Sequence, residues 1–174
     1  MACFGFGVSA PTELMAVGLA GAVGGILPDV DSKGSKASKA SDKFLAATVI
    51  GAVACIAAGK TPVSWVSLVP LMMVVALLMF GRKQPHRGAT HSVLYGVAFS
   101  VAVALANRAL VIPFAAGFAS HLVIDLLNTK GESLLWPLEG KWCFKVCKSN
   151  GFVNTALGAL GAIVAIAVVA VKLV

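Results

Sequence analysis

The sequence predicts an all-α fold, a polytopic transmembrane bundle of about six helices, some of them short. Two observations lead to this class. Hydrophobic residues make up 59% of the 174 residues and charged residues only 12%, whereas soluble proteins carry about 25% charged residues. The apolar residues also fall in long runs separated by polar segments, as in membrane-spanning helices. We therefore expect a single integral membrane domain over residues 1–174.

Six apolar segments predict the helices. The first contains the spacing Gly21-x-x-x-Gly25, which lets a neighbouring helix approach closely. The last is free of charges over about 20 residues, which is enough to cross a bilayer. Several others are shorter than a spanning helix usually is. The predicted segments are residues 14–27, 44–58, 63–80, 93–106, 110–127 and 152–171.

The polar segments between the helices predict the topology. Residues 32–43, with four lysines, and residues 128–151, with two tryptophans, are predicted as loops. If all six segments cross the membrane, the loops after the first, third and fifth lie on the same side of it. These loops contain eleven basic residues, and the segments on the other side contain three. The positive-inside bias assigns the eleven-residue face to the cytoplasm. We expect a protein of a prokaryotic-type inner membrane.

The net charge of +7 is assigned to loops that face anionic lipid. The chain has no basic helix with interleaved aromatic residues and no recognisable nucleic-acid-binding motif. Membrane lipid is therefore the predicted partner, and nucleic acid is not.

Every histidine and three of the four aspartates lie in three short motifs. Residues 28–31 end the first predicted helix with two aspartates, and residues 85–92 form a polar turn with two histidines and an arginine. In the third motif, His121 and Asp125 are spaced i, i+4, so on a helix they project from one face. The candidate metal ligands are Asp29, Asp31, His86, His91, His121 and Asp125.

Imidazole and carboxylate groups are ordinary ligands of zinc, and of manganese or magnesium when more oxygen ligands are present. We predict a divalent metal cofactor, Zn²⁺ in the first place, with Mn²⁺ or Mg²⁺ as alternatives. A bound metal lowers the pKa of water to about 7 and so provides a nucleophile at neutral pH. Asp31, which would position this water, and Arg87, which would stabilise an anion, are the predicted catalytic residues.

Each motif also has a purely structural interpretation. His121 and Asp125 would then form a hydrogen bond within their helix, and the two aspartates of residues 28–31 would be a solvated helix end. Arg87 would contact lipid headgroups. Ionisable groups inside a membrane are costly and usually functional, which favours the metal site when the three motifs are taken together.

At these motifs the chain resembles the YdjM-like family of membrane-bound proteins assigned as metal-dependent hydrolases. The shared pattern is Leu-Pro-Asp-x-Asp, His-Arg-Gly-x-Thr-His-Ser and Ser-His-x-x-x-Asp, followed by Gly and Leu-Trp-Pro, over residues 18–138. The resemblance implies that the six candidate ligands bind the metal. The His-x-x-x-Asp spacing is also similar to that of zinc-dependent phospholipase C, which implies a phosphoester substrate. The chain departs from the family in having no histidine before His86, and Ser32 where a histidine is common.

The predicted function is a membrane-embedded, metal-dependent hydrolase that acts on a phosphoester at the cytoplasmic membrane face. A phospholipid or a lipid-linked phosphate is the expected substrate. One alternative is a transporter in which His121 and Asp125 relay protons or metal ions. Another is a non-catalytic membrane regulator that retains the metal fold, and the missing early histidine favours it. The position of the motifs at one predicted face, and not midway across the membrane, favours the hydrolase over the transporter.

Overall fold

The computed structural model describes residues 11–57 and 65–146, and these residues form an all-helical fold. The described residues include no β-strand, and an isolated bridge pairs Glu132 with Trp142. The all-α prediction is confirmed, but the count of six is not, because the sixth predicted helix, residues 152–171, lies outside the described residues. The helices are α1 (Pro11–Ile26), α2 (Lys36–Ala57), α3 (Trp65–Arg82), α4 (Val93–Ala106) and α5 (Val111–Leu126).

Two described segments, Thr12–Asp31 and Arg108–Leu126, are long and apolar enough to cross a membrane. The segments Leu68–Arg82 and Val93–Ala106 are apolar but shorter. The six-span topology therefore stays a prediction, as do the single domain over residues 1–174 and the cytoplasmic orientation of the motifs.

All five helices carry large hydrophobic side chains on their outer surface. Examples from α1 to α5 in order are Leu19, Ile50, Met72, Val97 and Val123, each more than half exposed. A protein surrounded by water rarely exposes so much contiguous apolar surface. The outer surface of the described helices therefore suits contact with lipid.

The predicted loop over residues 32–43 is wrong from Lys36 onward, where α2 begins. The hydroxyl of Ser35 accepts a hydrogen bond from the backbone N–H of Ser38 (2.9 Å) and so caps the first turn. Arg82, at the end of α3, donates to the carbonyl and hydroxyl oxygens of Ser38 (3.0 and 2.8 Å) and pairs with Asp42 (3.0 Å). This bonding from a distant helix stabilises a polar first turn that was predicted as a loop.

Glycines let α1 and α5 pack backbone to backbone. A Cβ atom added at Gly24 would overlap the carbonyl oxygen of Phe114, and one at Gly117 would overlap that of Gly21. Neither neighbouring backbone atom can rotate out of the way. The close approach that the Gly21-x-x-x-Gly25 spacing predicted is confirmed, and α5 is the helix that approaches.

The hydrophobic core lies between α3, α4 and α5. The rings of Tyr95, Phe99, Phe114 and Phe118 form a continuous row, with neighbouring centroids 5.1, 6.2 and 6.4 Å apart. Tyr95 also donates its hydroxyl hydrogen to the carbonyl oxygen of Leu77 on α3 (2.9 Å), which satisfies its polar end. This row of rings fixes the position of the helix ends that carry the motifs.

The three motifs lie at one end of the bundle because of the alternating direction of the helices. A 3-10 turn, Leu27–Asp31, follows α1, and a second, Ala89–His91, precedes α4. The hydroxyl of Ser92 accepts from the backbone N–H of Tyr95 (3.2 Å) and donates to the carbonyl of Ala89 (2.6 Å). This serine cap of α4 holds the turn with His91 against the helix.

Candidate metal centre

Two imidazoles and two carboxylates direct one atom each into a common space. The Nε2 atom of His91 lies 3.8 Å from Asp29 Oδ1 and 3.6 Å from Asp125 Oδ2. The Nε2 atom of His121 lies 3.9 and 3.8 Å from the same two oxygens. These distances are too long for hydrogen bonds. They are close to the separation of about 3.3–3.6 Å between ligands placed tetrahedrally around an ion at 2.0–2.2 Å.

The two imidazole nitrogens are buried and have no hydrogen-bond partner among the described residues. The Nδ1 atom of His121 donates to the carbonyl oxygen of Gly25 (2.6 Å), so in the neutral ring its Nε2 carries a lone pair and no proton. Two such lone pairs facing two carboxylates repel each other unless a cation lies between them. Because buried polar atoms are almost always paired, this arrangement fits a divalent metal ion.

Asp31 lies behind the imidazoles. Its Oδ1 accepts from His86 Nδ1 (2.9 Å), and its Oδ2 accepts from the backbone N–H of Arg87 (3.1 Å) and from the hydroxyl of Thr90. Thr90 gives its only hydrogen to Asp31, so it accepts from His91 Nδ1 (3.1 Å), and in the neutral ring this leaves His91 Nε2 unprotonated. A buried carboxylate that orients histidine ligands in this way is common around metals.

The predicted ligand and catalytic roles of Asp31 stay predictions. Within residues 11–57 and 65–146, the two groups of side chains that could hold an ion are Asp29, His86 and His91, and His91, His121 and Asp125. Asp31 belongs to neither group, and hydrogen bonds occupy both of its oxygens. Its contacts therefore favour a positioning role over direct metal contact.

Arg87 forms a largely buried ion pair with Asp125. Its Nη2 lies 3.0 Å from Asp125 Oδ2, the oxygen that faces both histidines, and its Nη1 donates to the carbonyl oxygen of Lys130. Its φ of 62° lies in the left-handed region, and in this conformation the N–H reaches Asp31 while the guanidinium reaches Asp125. The side chain is only 9% exposed. Arg87 thus orients a candidate ligand, and its predicted role on an anionic substrate stays a prediction.

His86 marks the open side of the centre. Its side chain is 50% exposed, and its ring meets that of His91 edge to face, with centroids 5.4 Å apart. The purely structural interpretation predicted a hydrogen bond between His121 and Asp125 within their helix. His121 Nε2 and Asp125 Oδ2 are 3.8 Å apart, which is too long for that bond. All six candidate residues thus lie at this end of the bundle, with four of them directed at one point.

Glu132 is a site residue that the sequence analysis missed. Its side chain is fully buried, and neither carboxylate oxygen has a hydrogen-bond partner in the part of the chain that the structure describes. Burial and the nearby charge of Asp125 raise the pKa of Glu132 to about 8, although the charge of Arg87 opposes the rise. The sequence offered no signal, because an acidic residue in a polar segment is usually exposed, and here the bridge to Trp142 turns it inward.

The raised pKa of Glu132 makes the stability of the fold depend on pH. The ordinary pKa is about 4.3, so the native state is expected to lose stability as the pH rises from about 4 to 8. We expect Glu132→Gln to raise the free energy of unfolding at pH 8 by on the order of a few kcal/mol, and to change it little near pH 4. Thermal or urea unfolding in detergent at both pH values measures this difference. Glu139→Gln, at an exposed position, is the control, and an equal pH dependence of both variants would contradict the prediction.

The comparisons with known proteins agree with the membrane assignment. The model of one protein family, described as YdjM inner membrane protein, matches residues 1–174, the whole chain. No curated protein and no solved structure matches.

Proposed function

This chain belongs to the YdjM inner membrane protein family, and from this premise we propose that it is a membrane-embedded, metal-dependent hydrolase. Its substrate is a phosphoester, in a phospholipid or a lipid-linked phosphate, at the cytoplasmic face of the membrane. The main support is the pair of buried, unpartnered imidazole nitrogens of His91 and His121 facing two carboxylates.

The metal would be held by Asp29, His91, His121 and Asp125, with His86 at the open side. Mixed imidazole and carboxylate ligands suit Zn²⁺, and Mn²⁺ or Mg²⁺ are the alternatives. Such an ion supplies Lewis acidity and makes water a nucleophile at neutral pH.

His86 is placed to move the proton of the reaction. Its Nδ1–H is held by the buried carboxylate of Asp31 (2.9 Å), so its Nε2 is free to accept a proton. Water adds to phosphorus, the ester P–O bond breaks, and the proton that His86 takes from the water passes to the leaving oxygen. Asp31 acts through His86 by fixing its tautomer and stabilising its protonated form, as a carboxylate behind a catalytic imidazole does.

Arg87 acts mainly on the ligand geometry. Its contact with Asp125 Oδ2 (3.0 Å) keeps that oxygen directed at the two histidines. The guanidinium also adds a positive charge beside the place where a phosphoryl group gains negative charge in the transition state. Both effects require Arg87 in its buried position.

The test is metal content together with turnover. We expect the purified protein to hold stoichiometric zinc or manganese and to hydrolyse bis(p-nitrophenyl) phosphate, with activity lost on chelation and restored by metal. Asp125→Asn is expected to lose both properties, because it removes one charged ligand and the partner of Arg87. Glu139→Gln, which alters an exposed carboxylate, is the control.

The same measurements distinguish the proposed hydrolase from the two alternatives, a non-catalytic regulator and a transporter. Absence of stoichiometric metal under varied metal supply would remove the mechanism. Metal binding that stabilises the protein without turnover would identify a non-catalytic regulator. Metal or proton flux into liposomes without phosphoester hydrolysis would identify a transporter.

A further inference from the structure

An apolar cavity of about 330 Å³ lies between α1, α2 and α3, beside the turn that carries Asp29. Leu27, Leu78 and Phe99 form its inner wall. Its outer lining includes Val23 and Phe44, which are 48% and 41% exposed. The cavity therefore reaches the outer surface of the helices, where the apolar side chains suit contact with lipid, and its volume is in the range of small-ligand sites.

A second space, an open cleft of about 730 Å³, lies at the end of the bundle. Lys33, Arg82 and Lys83 line it, together with Asp31 and His86 from the metal centre. Arg82 pairs with Asp42 (3.0 Å), so Lys33 and Lys83 supply the positive charge that exceeds that of the buried Asp31 carboxylate. The cleft thus attracts an anion and delivers it to His86, which is the open side of the centre.

A hydrogen bond links the lining of the cavity to the lining of the cleft. Ser41 lines the cavity and Arg82 lines the cleft, and Arg82 Nη1 donates to Ser41 Oγ (3.2 Å). Arg82 is held in place by Ser38 and Asp42 (2.8 and 3.0 Å). A single molecule with an apolar and an anionic part can therefore occupy both spaces at once.

We propose that these two spaces bind one anionic phospholipid, with an acyl chain in the cavity and the phosphate in the cleft beside His86. This inference rests on the proposed function and names its substrate class. A water-soluble phosphoester would use only the cleft, and a neutral lipid would leave Lys33 and Lys83 without a partner. The charge of the cleft and the apolar cavity whose lining is bonded to it are both explained by an anionic lipid.

Lipid binding by the full chain in detergent micelles tests the inference. The probe is fluorescent dioleoyl phosphatidylglycerol, with phosphatidylcholine of the same chains for comparison, and EDTA is present so that binding does not depend on metal. Lys33→Gln combined with Lys83→Gln is expected to weaken phosphatidylglycerol binding at least about tenfold, since each lysine near an anionic lipid contributes about 1 kcal/mol. Lys36→Gln combined with Lys39→Gln, on exposed positions of α2, is the control.

The proposed binding of an acyl chain in the apolar cavity is tested by filling that cavity. Ala40→Phe places a ring in the cavity lining, and it is expected to weaken lipid binding while leaving competition by inorganic phosphate unchanged. Ala47→Phe, on an exposed position of the same helix outside the lining, is the control. Equal binding of both lipids, or unchanged phosphatidylglycerol binding in the cleft and cavity variants, would overturn the inference.

Metal content and hydrolysis of bis(p-nitrophenyl) phosphate, measured in the same preparations, distinguish a failure of the lipid inference from a failure of the proposed function. If the wild type holds metal and hydrolyses this soluble ester, but neither the cleft variant nor the cavity variant changes lipid binding, only the lipid inference is wrong. If lipid binding responds as expected but no metal is bound, the proposed function is wrong and the lipid site stands.

Discussion

His91→Ala is expected to remove the metal from the purified protein, whereas His86→Ala is expected to weaken metal binding far less. His91 is fully buried and belongs to both groups of side chains that could hold an ion. His86 is half exposed, and its Nδ1 is bonded to Asp31. Loss of a side chain that supports a metal ligand costs about 10–100-fold in affinity. We expect His86→Ala to fall in this range and His91→Ala to exceed it.

Metal content by mass spectrometry and competition with a chromogenic chelator measure the two affinities. His91→Ala also leaves a buried cavity and removes a partner of Asp31, so its folding needs a separate readout. His91→Gln keeps most of the volume, and thermal unfolding of all three variants in EDTA compares their stability without metal. Equal metal loss in the two alanine variants, with equal stability in EDTA, would contradict the assignment of His91 to the centre and His86 to its open side.

Gly117→Ala is expected to separate α1 from α5 and to weaken the metal centre. The added Cβ would overlap the carbonyl oxygen of Gly21 and crowd the backbone nitrogen of Gly25. Overpacking of this kind costs about 1–3 kcal/mol, and more where nothing can move. Separation would also break the hydrogen bond from His121 to the carbonyl of Gly25, which orients a candidate ligand.

The matched control is Gly18→Ala on α1, where an added Cβ has no heavy atom within 4 Å. There, alanine should stabilise the helix by up to about 1 kcal/mol through its better helix propensity. Thermal unfolding in detergent and metal content are measured on both variants. If Gly117→Ala is as stable as Gly18→Ala and keeps its metal, the glycine contact is not what holds the centre together.

Local patterns were enough to predict most of the helices and the residues of interest. The helix predicted over residues 93–106 has the observed bounds. The start of α2 was missed because a run rich in lysine and serine has no apolar periodicity. Its first turns are stabilised by Arg82 from another helix, a contact that no local pattern contains.

The sequence by itself determined the helical class, the membrane character and the set of histidines and aspartates at the helix ends, because these follow from composition and from spacing along one segment. Only the tertiary structure decided that Asp31 supports the imidazoles, that Arg87 turns to Asp125 and that Glu132 is buried. Those roles depend on contacts between distant segments, such as that of His121 with Gly25, 96 positions earlier. That contact exists because glycines allow α1 and α5 to touch, and its geometry cannot be read from the spacing within either helix.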